Sequence, residues 1–262
     1  MDKLYVIKIG GNIIDDDAKL LAFLQDFAAI TSPKILVHGG GKLATRLADQ
    51  LGVEQKLVDG RRITDAETLK IVTMVYAGLV NKQIVARLQA NHCNAMGLSG
   101  ADGDLVLAHK RNHPVLDYGF VGDVDAINSS LLHTLLQSRV APVLAPITHD
   151  QQGQLLNTNA DTIAQEVARG MSNLFDVQLV YCFEKKGVLL DTADENSVIP
   201  RINPSYYQEL KAKNKIFAGM LPKLDNAFTA LNSGVQQVLI GQAEQLPALL
   251  NGTTGTIISN EA

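Results

Sequence analysis

The chain has 262 residues, 46% hydrophobic and 19% charged, which supplies apolar material for one large or two modest cores and excludes intrinsic disorder. Its 23 basic and 27 acidic side chains leave a formal charge of −4, too even a balance for a chain built to hold nucleic acid or an anionic membrane surface. Cys93 and Cys182 lie far apart, neither with a second Cys or a close His at metal-ligand spacing, so both read as small buried hydrophobes and no metal site is expected.

The first strand, LYVIKIG, carries Lys8 inside an otherwise apolar run and ends on Gly10 and Gly11. The opening MDKLYVIKIGG has too short an apolar run for a signal peptide. No later stretch approaches the roughly 20 uninterrupted apolar residues that span a bilayer, so a cytoplasmic address is expected. A helix is predicted over Ala18 to Ile30, then a strand KILVHG that runs through Gly39, Gly40 and Gly41 into a helix from Lys42 to Leu51. VEQKLVDGRRIT reads as a β-hairpin holding Arg61 and Arg62, and TDAE at 64–67 as a capping box opening a long helix to about Ala90. GADGDLVLAHKRNHPVLDYGFVGDVDAI has the Gly, Asp and alternating pattern of further hairpin structure, and Asn128 in INSSLL is the expected cap of the next helix. After the strand APVLAPI, LLNTNADTIA brings Asn157, Asn159 and Asp161 to the start of a helix over Ala160 to Met171. VQLVYCF and QQVLIG read as strands, with AGMLPKLDNA between them placing Gly219 and Lys223 at a helix that begins around Met220. Strands apolar on both faces, alternating with helices, predict an α/β protein with a mainly parallel sheet. The expected boundary lies near RGMSNLFDV, dividing 1–173 from 174–262.

A strand, three glycines and a helix aim free backbone N–H groups and the positive end of a helix dipole at one spot, which suits an anion. The loop fails as a Walker motif, having Leu36 and Leu43 where Gly and Ser or Thr are needed. Gly39, Gly41 and Ala44 do satisfy a GxGxxA dinucleotide pattern, but a polar hairpin follows instead of a second parallel strand. In a doubly wound sheet the turn at Gly10 and Gly11 opens into the same crevice. An ammonium at Lys8 can then meet an anion held by both glycine turns, which offsets the cost of placing a charge in a buried strand. A guanidinium from Arg61 or Arg62 can clamp a carboxylate in bidentate fashion.

Taken in order, KIGG, HGGGK, GRRITDAET, GLSGADGDL, GFVGDV, LNTNADT and AGMLPK resemble the amino acid kinase family, over about residues 4 to 258. The resemblance implies a three-layer αβα sandwich and ATP-dependent phosphorylation of the γ-carboxylate of an N-acylated glutamate, a step of arginine biosynthesis. Lys8 and Lys223 would flank the phosphoryl group in flight, with Asp161 holding both ammonium groups. Gly40, Gly41, Arg62 and Asn157 would bind the acyl amino acid, and Gly10, Gly11, Glu184, Gly187 and Gly219 the nucleotide. Where family members commonly have a Leu-Thr-Asp-Val-Pro-Gly-Val run near the nucleotide, this chain has CFEKKGV, with Glu184 in place of the Asp. Mg2+ is expected to arrive chelated by ATP, since no compact carboxylate cage is visible.

The acyl group is open between acetyl, the family's usual substrate, and succinyl. The resemblance also implies a homodimer without arginine feedback, because only three residues precede the first strand and arginine-inhibited members carry an extra N-terminal helix. The long helix, with Leu69, Val72, Val75, Leu79 and Val80, would serve as interface or pack on its own sheet. Three rival readings stand beside this one: a kinase of the same fold acting on glutamate, aspartate, carbamate or a nucleotide; a dinucleotide-binding oxidoreductase; and a catalytically silent ATP sensor.

Overall fold

Leu4 and Val6 face one way from strand β1 (Lys3–Ile9) and Tyr5, Ile7 and Ile9 the other, and all five are buried, so this strand needs cover on both sides. In the computed structural model, which describes residues 1–58, 61–191, 193–213, 215, 216 and 220–261, it lies at the centre of the molecule. After β1 come α1 (Gly11–Ile14), α2 (Asp17–Ala29), β2 (Lys34–His38), α3 (Gly41–Gln50), and the antiparallel pair β3 (Leu57–Val58) and β4 (Arg61–Arg62). A continuous helical run over Ala66–Ala90 follows, made of α4 (Ala66–Thr73), a π-helical stretch Met74–Val80, and α5 (Asn81–Ala90). The chain continues through β5 (Ala95–Leu98), β6 (Val106–Lys110), β7 (Gly122–Ile127), α6 (Ser129–Gln137), β8 (Ala141–Leu144), β9 (Ile147–His149), β10 (Leu155–Asn157) and α7 (Ala160–Met171). The last part holds β11 (Asp176–Phe183), β12 (Arg201–Ile202), α8 (Pro204–Ala212), α9 (Leu221–Asn232), β13 (Gln237–Gln242), α10 (Leu246–Leu250) and β14 (Thr256–Ile258).

The main sheet has the order β12-β14-β13-β11-β1-β2-β8-β5, and every pairing is parallel except β13 with β14. Its two faces carry separate cores. Tyr5, Ile7 and Ile9 pack with Phe23 and Phe27 of α2, Ala44 and Ala48 of α3, and Ile84 and Leu88 of α5. Leu4 and Val6 pack with Leu132 of α6, Ile163 and Val167 of α7, Tyr207 of α8 and Leu224 of α9. The expected three-layer αβα sandwich is therefore present. A smaller sheet, β10-β9-β6-β7, supplies the expected second hairpin as β6 and β7.

The cap of the long helical run falls one residue later than the TDAE pattern suggests. Asp65 accepts from the Thr68 amide at 2.8 Å, while the Thr64 hydroxyl donates to the Arg62 carbonyl at 2.9 Å. Thr64 is held by the chain beyond it, because its backbone pairs with Tyr118 and Phe120. The run is long and apolar enough to cross a bilayer, yet Val72, Val75, Val80, Ile84 and Leu88 fill the core, which makes it a core helix by packing. Met74 and Leu79 remain exposed. Asn128 and Asn159 cap α6 and α7 with their side chains, Asn128 as the sequence indicates.

Candidate active site

β1 and β2 are parallel neighbours that end together, Ile9 opposite His38, so both glycine turns leave the sheet at one crevice. The Gly39 amide donates to the Ile9 carbonyl at 3.1 Å and ties the turns together. Gly40 caps α3 with φ of 150°, a conformation that favours glycine, and a Cβ there would sit 2.9 Å from the Tyr76 ring. The α3 amides therefore open onto the cavity without a side chain in front of them.

His38 sets the path of this loop from beneath. Asn81 donates its side-chain amide to His38 Nε2 at 3.1 Å and to the Val143 carbonyl at 2.9 Å, so Nε2 accepts and Nδ1 donates to the Gly39 carbonyl at 2.8 Å. Burial drives the imidazole pKa down to about 4, so it stays neutral at pH 7.

Lys8 shares a face of β1 with Leu4 and Val6, the face that α7 covers, and Asp161 lies in the first turn of α7. Lys8 Nζ meets Asp161 Oδ1 at 2.7 Å. Burial raises the Asp161 pKa, but the charges of Lys8 and Lys223 outweigh it and hold the carboxyl below its usual range. Lys223, in the first turn of α9, stands 4.8 Å from the Phe183 ring centroid. Burial pushes its pKa down, and Lys8 adds to that, while Asp161 and Glu184 act in the opposite sense. Lys8, paired with Asp161, and Lys223 thus line one cavity of about 410 Å³ together with Gly10, Gly11, Asn12, Lys42 and Glu184, and both ammonium groups feel the Asp161 charge. Such an excess of positive charge favours an anion between them.

A second cavity, of about 170 Å³, is lined by Gly40, Gly41, Arg61, Arg62, Tyr76 and Asn157. Arg62 is buried, and its Nη2 donates to the Gly41 carbonyl and to Thr45 Oγ1, each at 2.9 Å, while Nη1 donates to Gln55. Asn157 donates to Thr64 Oγ1 at 2.9 Å. Gly41 and Arg62 line both cavities, which makes them adjoining compartments. The smaller offers a guanidinium, an amide side chain and backbone amides, a set that holds a carboxylate-bearing molecule. The larger offers the ammonium groups.

The structure brings together Lys8, Asp161, Lys223, Gly10, Gly11, Gly40, Gly41, Arg62, Asn157 and Glu184. It does not bring Gly187 to either cavity. A Cβ there would lie 2.8 Å from Thr256 Oγ1 and from Val198 Cγ1, so close packing accounts for that glycine. Gly219 lies outside the described residues. Sequence reasoning missed His38, Asn12 and Tyr76. A histidine ending an apolar strand ahead of three glycines is a signal for the first; Tyr76 hides within the apolar pattern of a core helix.

A model of the amino acid kinase family matches residues 3–242. The chain belongs to that family. It is 58% identical over 261 residues to the acetylglutamate kinase of Cytophaga hutchinsonii, covering 98% of each chain. With the acetylglutamate kinase of Bacteroides thetaiotaomicron it is 58% identical over 245 residues, 94% of this chain and 95% of that one. Among solved structures, smu.665 of Streptococcus mutans UA159 superposes with a TM-score of 0.80 at 30% identity, over 99% of each chain. The hairpin β3–β4 after α3, where a dinucleotide-binding fold continues with a parallel strand, removes the oxidoreductase reading.

Proposed function

We propose that this kinase transfers the γ-phosphoryl group of ATP to the γ-carboxylate of N-acetyl-L-glutamate, giving N-acetylglutamyl 5-phosphate for arginine biosynthesis. The observation that carries the reading is that Lys8, paired with Asp161, and Lys223 line one cavity beside the two glycine turns, in a chain 58% identical to acetylglutamate kinases.

The carboxylate is ionised at pH 7, so no general base is required. A carboxylate oxygen attacks the γ-phosphorus, the O–P bond to the β-phosphate breaks, and its electron pair leaves with ADP. Charge compensation and alignment are what the protein contributes. Lys8 and Lys223 take the phosphoryl oxygens from two sides, Asp161 fixes both ammonium groups, and the amides of Gly11, Gly40 and Gly41 donate to substrate and phosphate oxygens. Arg62 and Asn157 hold the amino-acid end. Gly10, Gly11 and Glu184 border the nucleotide. Mg2+ enters with the ATP phosphates. Among the described residues no three His, Cys, Asp or Glu side chains gather as a metal cage.

In this reading residues 1–173 bind the acyl amino acid and form a cytoplasmic homodimer, and 174–262 bind ATP. In the same reading the exposed side of the long helical run, with Met74 and Leu79, forms the interface, and sedimentation of a Leu79→Lys variant tests it.

One observation favours the alternative acyl group: Arg61 lines the smaller cavity beside Arg62, and a second guanidinium suits the extra carboxylate of N-succinylglutamate. Incubation with Mg-ATP and either acylglutamate, trapping the acyl phosphate as a hydroxamate, decides between them. No hydroxamate from either substrate overturns the kinase assignment.

A further inference from the structure

Lys42 occupies the first turn of α3, where a cation opposes the helix dipole unless an anion stands in front of it. Its stem lies over the Gly10 and Gly11 turn: a Cβ on Gly11 would sit 3.7 Å from Lys42 Cγ. Its ammonium donates to the Asn12 side-chain carbonyl, and the same Asn12 donates its amide nitrogen to the Glu184 carboxylate. All three residues line the larger cavity with Lys8 and Lys223. Among the described residues Lys42 forms no ion pair, whereas Arg46, on the same helix, pairs with Asp15 at 2.9 Å. An exposed lysine with a neutral amide as partner can exchange that partner at little cost.

We propose that Lys42 is a further phosphate-contacting residue of the transfer reaction, its ammonium leaving the Asn12 amide for a phosphate oxygen of ATP when nucleotide binds. The inference rests on the kinase reading. It assigns Lys42 to the nucleotide and not to the acyl amino acid, because its ammonium meets Asn12, which meets Glu184 just past the end of β11, and because Lys42 lines the larger cavity while Asn157 lines only the smaller. The competing explanation is mechanical, in which Lys42 serves only to steady Asn12 against Glu184.

Charge separates the two. Lys42→Met removes charge and hydrogen bond, Lys42→Gln keeps a neutral donor for Asn12, and Lys42→Arg keeps the charge. Titration of each folded variant with Mg-AMP-PNP, alongside the KM for N-acetylglutamate, is the measurement. The Met and Gln variants are expected to bind Mg-AMP-PNP about tenfold more weakly than the parent protein, with the acyl-substrate KM within about twofold and the Arg variant within about threefold. Parent-like nucleotide affinity in the Gln variant overturns the proposal, as does equal loss of both ligands in all three. If the parent protein binds Mg-AMP-PNP but forms no hydroxamate, the kinase reading fails while the Lys42 contact with phosphate stands.

Discussion

Lys8 and Lys223 are half-buried charges, and in the proposed reading an incoming phosphoryl group completes their surroundings. Asp161 pairs with Lys8 alone and reaches Lys223 only through its charge, and the depressed pKa of Lys223 records that its burial is not fully compensated. Replacing either lysine with Met is expected to lower kcat on the order of 100- to 1000-fold while far-ultraviolet circular dichroism stays unchanged. His38 makes a different prediction, about stability. Its pKa of about 4 lies below the ordinary 6.5, so between those values the unfolded chain binds more protons than the folded one. Stability should fall as pH drops through that window, by about 3 kcal/mol in total, and His38→Gln should flatten the fall in urea titrations at pH 7 and pH 5.

The turn from β2 into α3 depends on Gly40 and on the π-helical stretch that faces it. Tyr76 and Val80, both in that stretch, stand where any Gly40 side chain would go. Gly40→Ala combines a left-handed backbone with a collision against a ring, and about 1–3 kcal/mol of lost stability is expected in chemical denaturation. Much at this level was legible in the sequence. The motifs around Lys8, Arg62, Asn157 and Asp161 led to the crevice, and α2, α3 and α7 begin and end within a residue of their patterns. Long-range contacts were not legible. Thr64 looked like the cap of the long helix, but its pairing with Tyr118 and Phe120, more than fifty residues on, moves that role to Asp65. MVYAGLV contains no proline, and its single glycine, Gly78, is equally compatible with a plain α-helix, so nothing local announces its π-helical form. Gly187 is assigned to the nucleotide only through the resemblance at CFEKKGV, and the packing against Thr256 and Val198 that keeps it free of a side chain comes from far along the chain or across a loop that no local pattern announces.

The whole sheet is built outward from its first strand. β1 pairs with β2 on one side and β11 on the other, so the sheet runs unbroken across the boundary expected near residues 169–177. Neither half keeps a complete core without that strand, and calorimetry is expected to show one cooperative unfolding transition; two separated transitions would count against this account. The central position of β1 also bears on how the molecule is made. Synthesis delivers β1 long before the neighbour that closes its second edge, which begins at Asp176, so a nascent chain on the ribosome carries an open, apolar strand edge while the intervening residues are made. Until β11 emerges, that edge is a template for pairing with other chains, and the growing polypeptide has reason to depend on a chaperone that shields it.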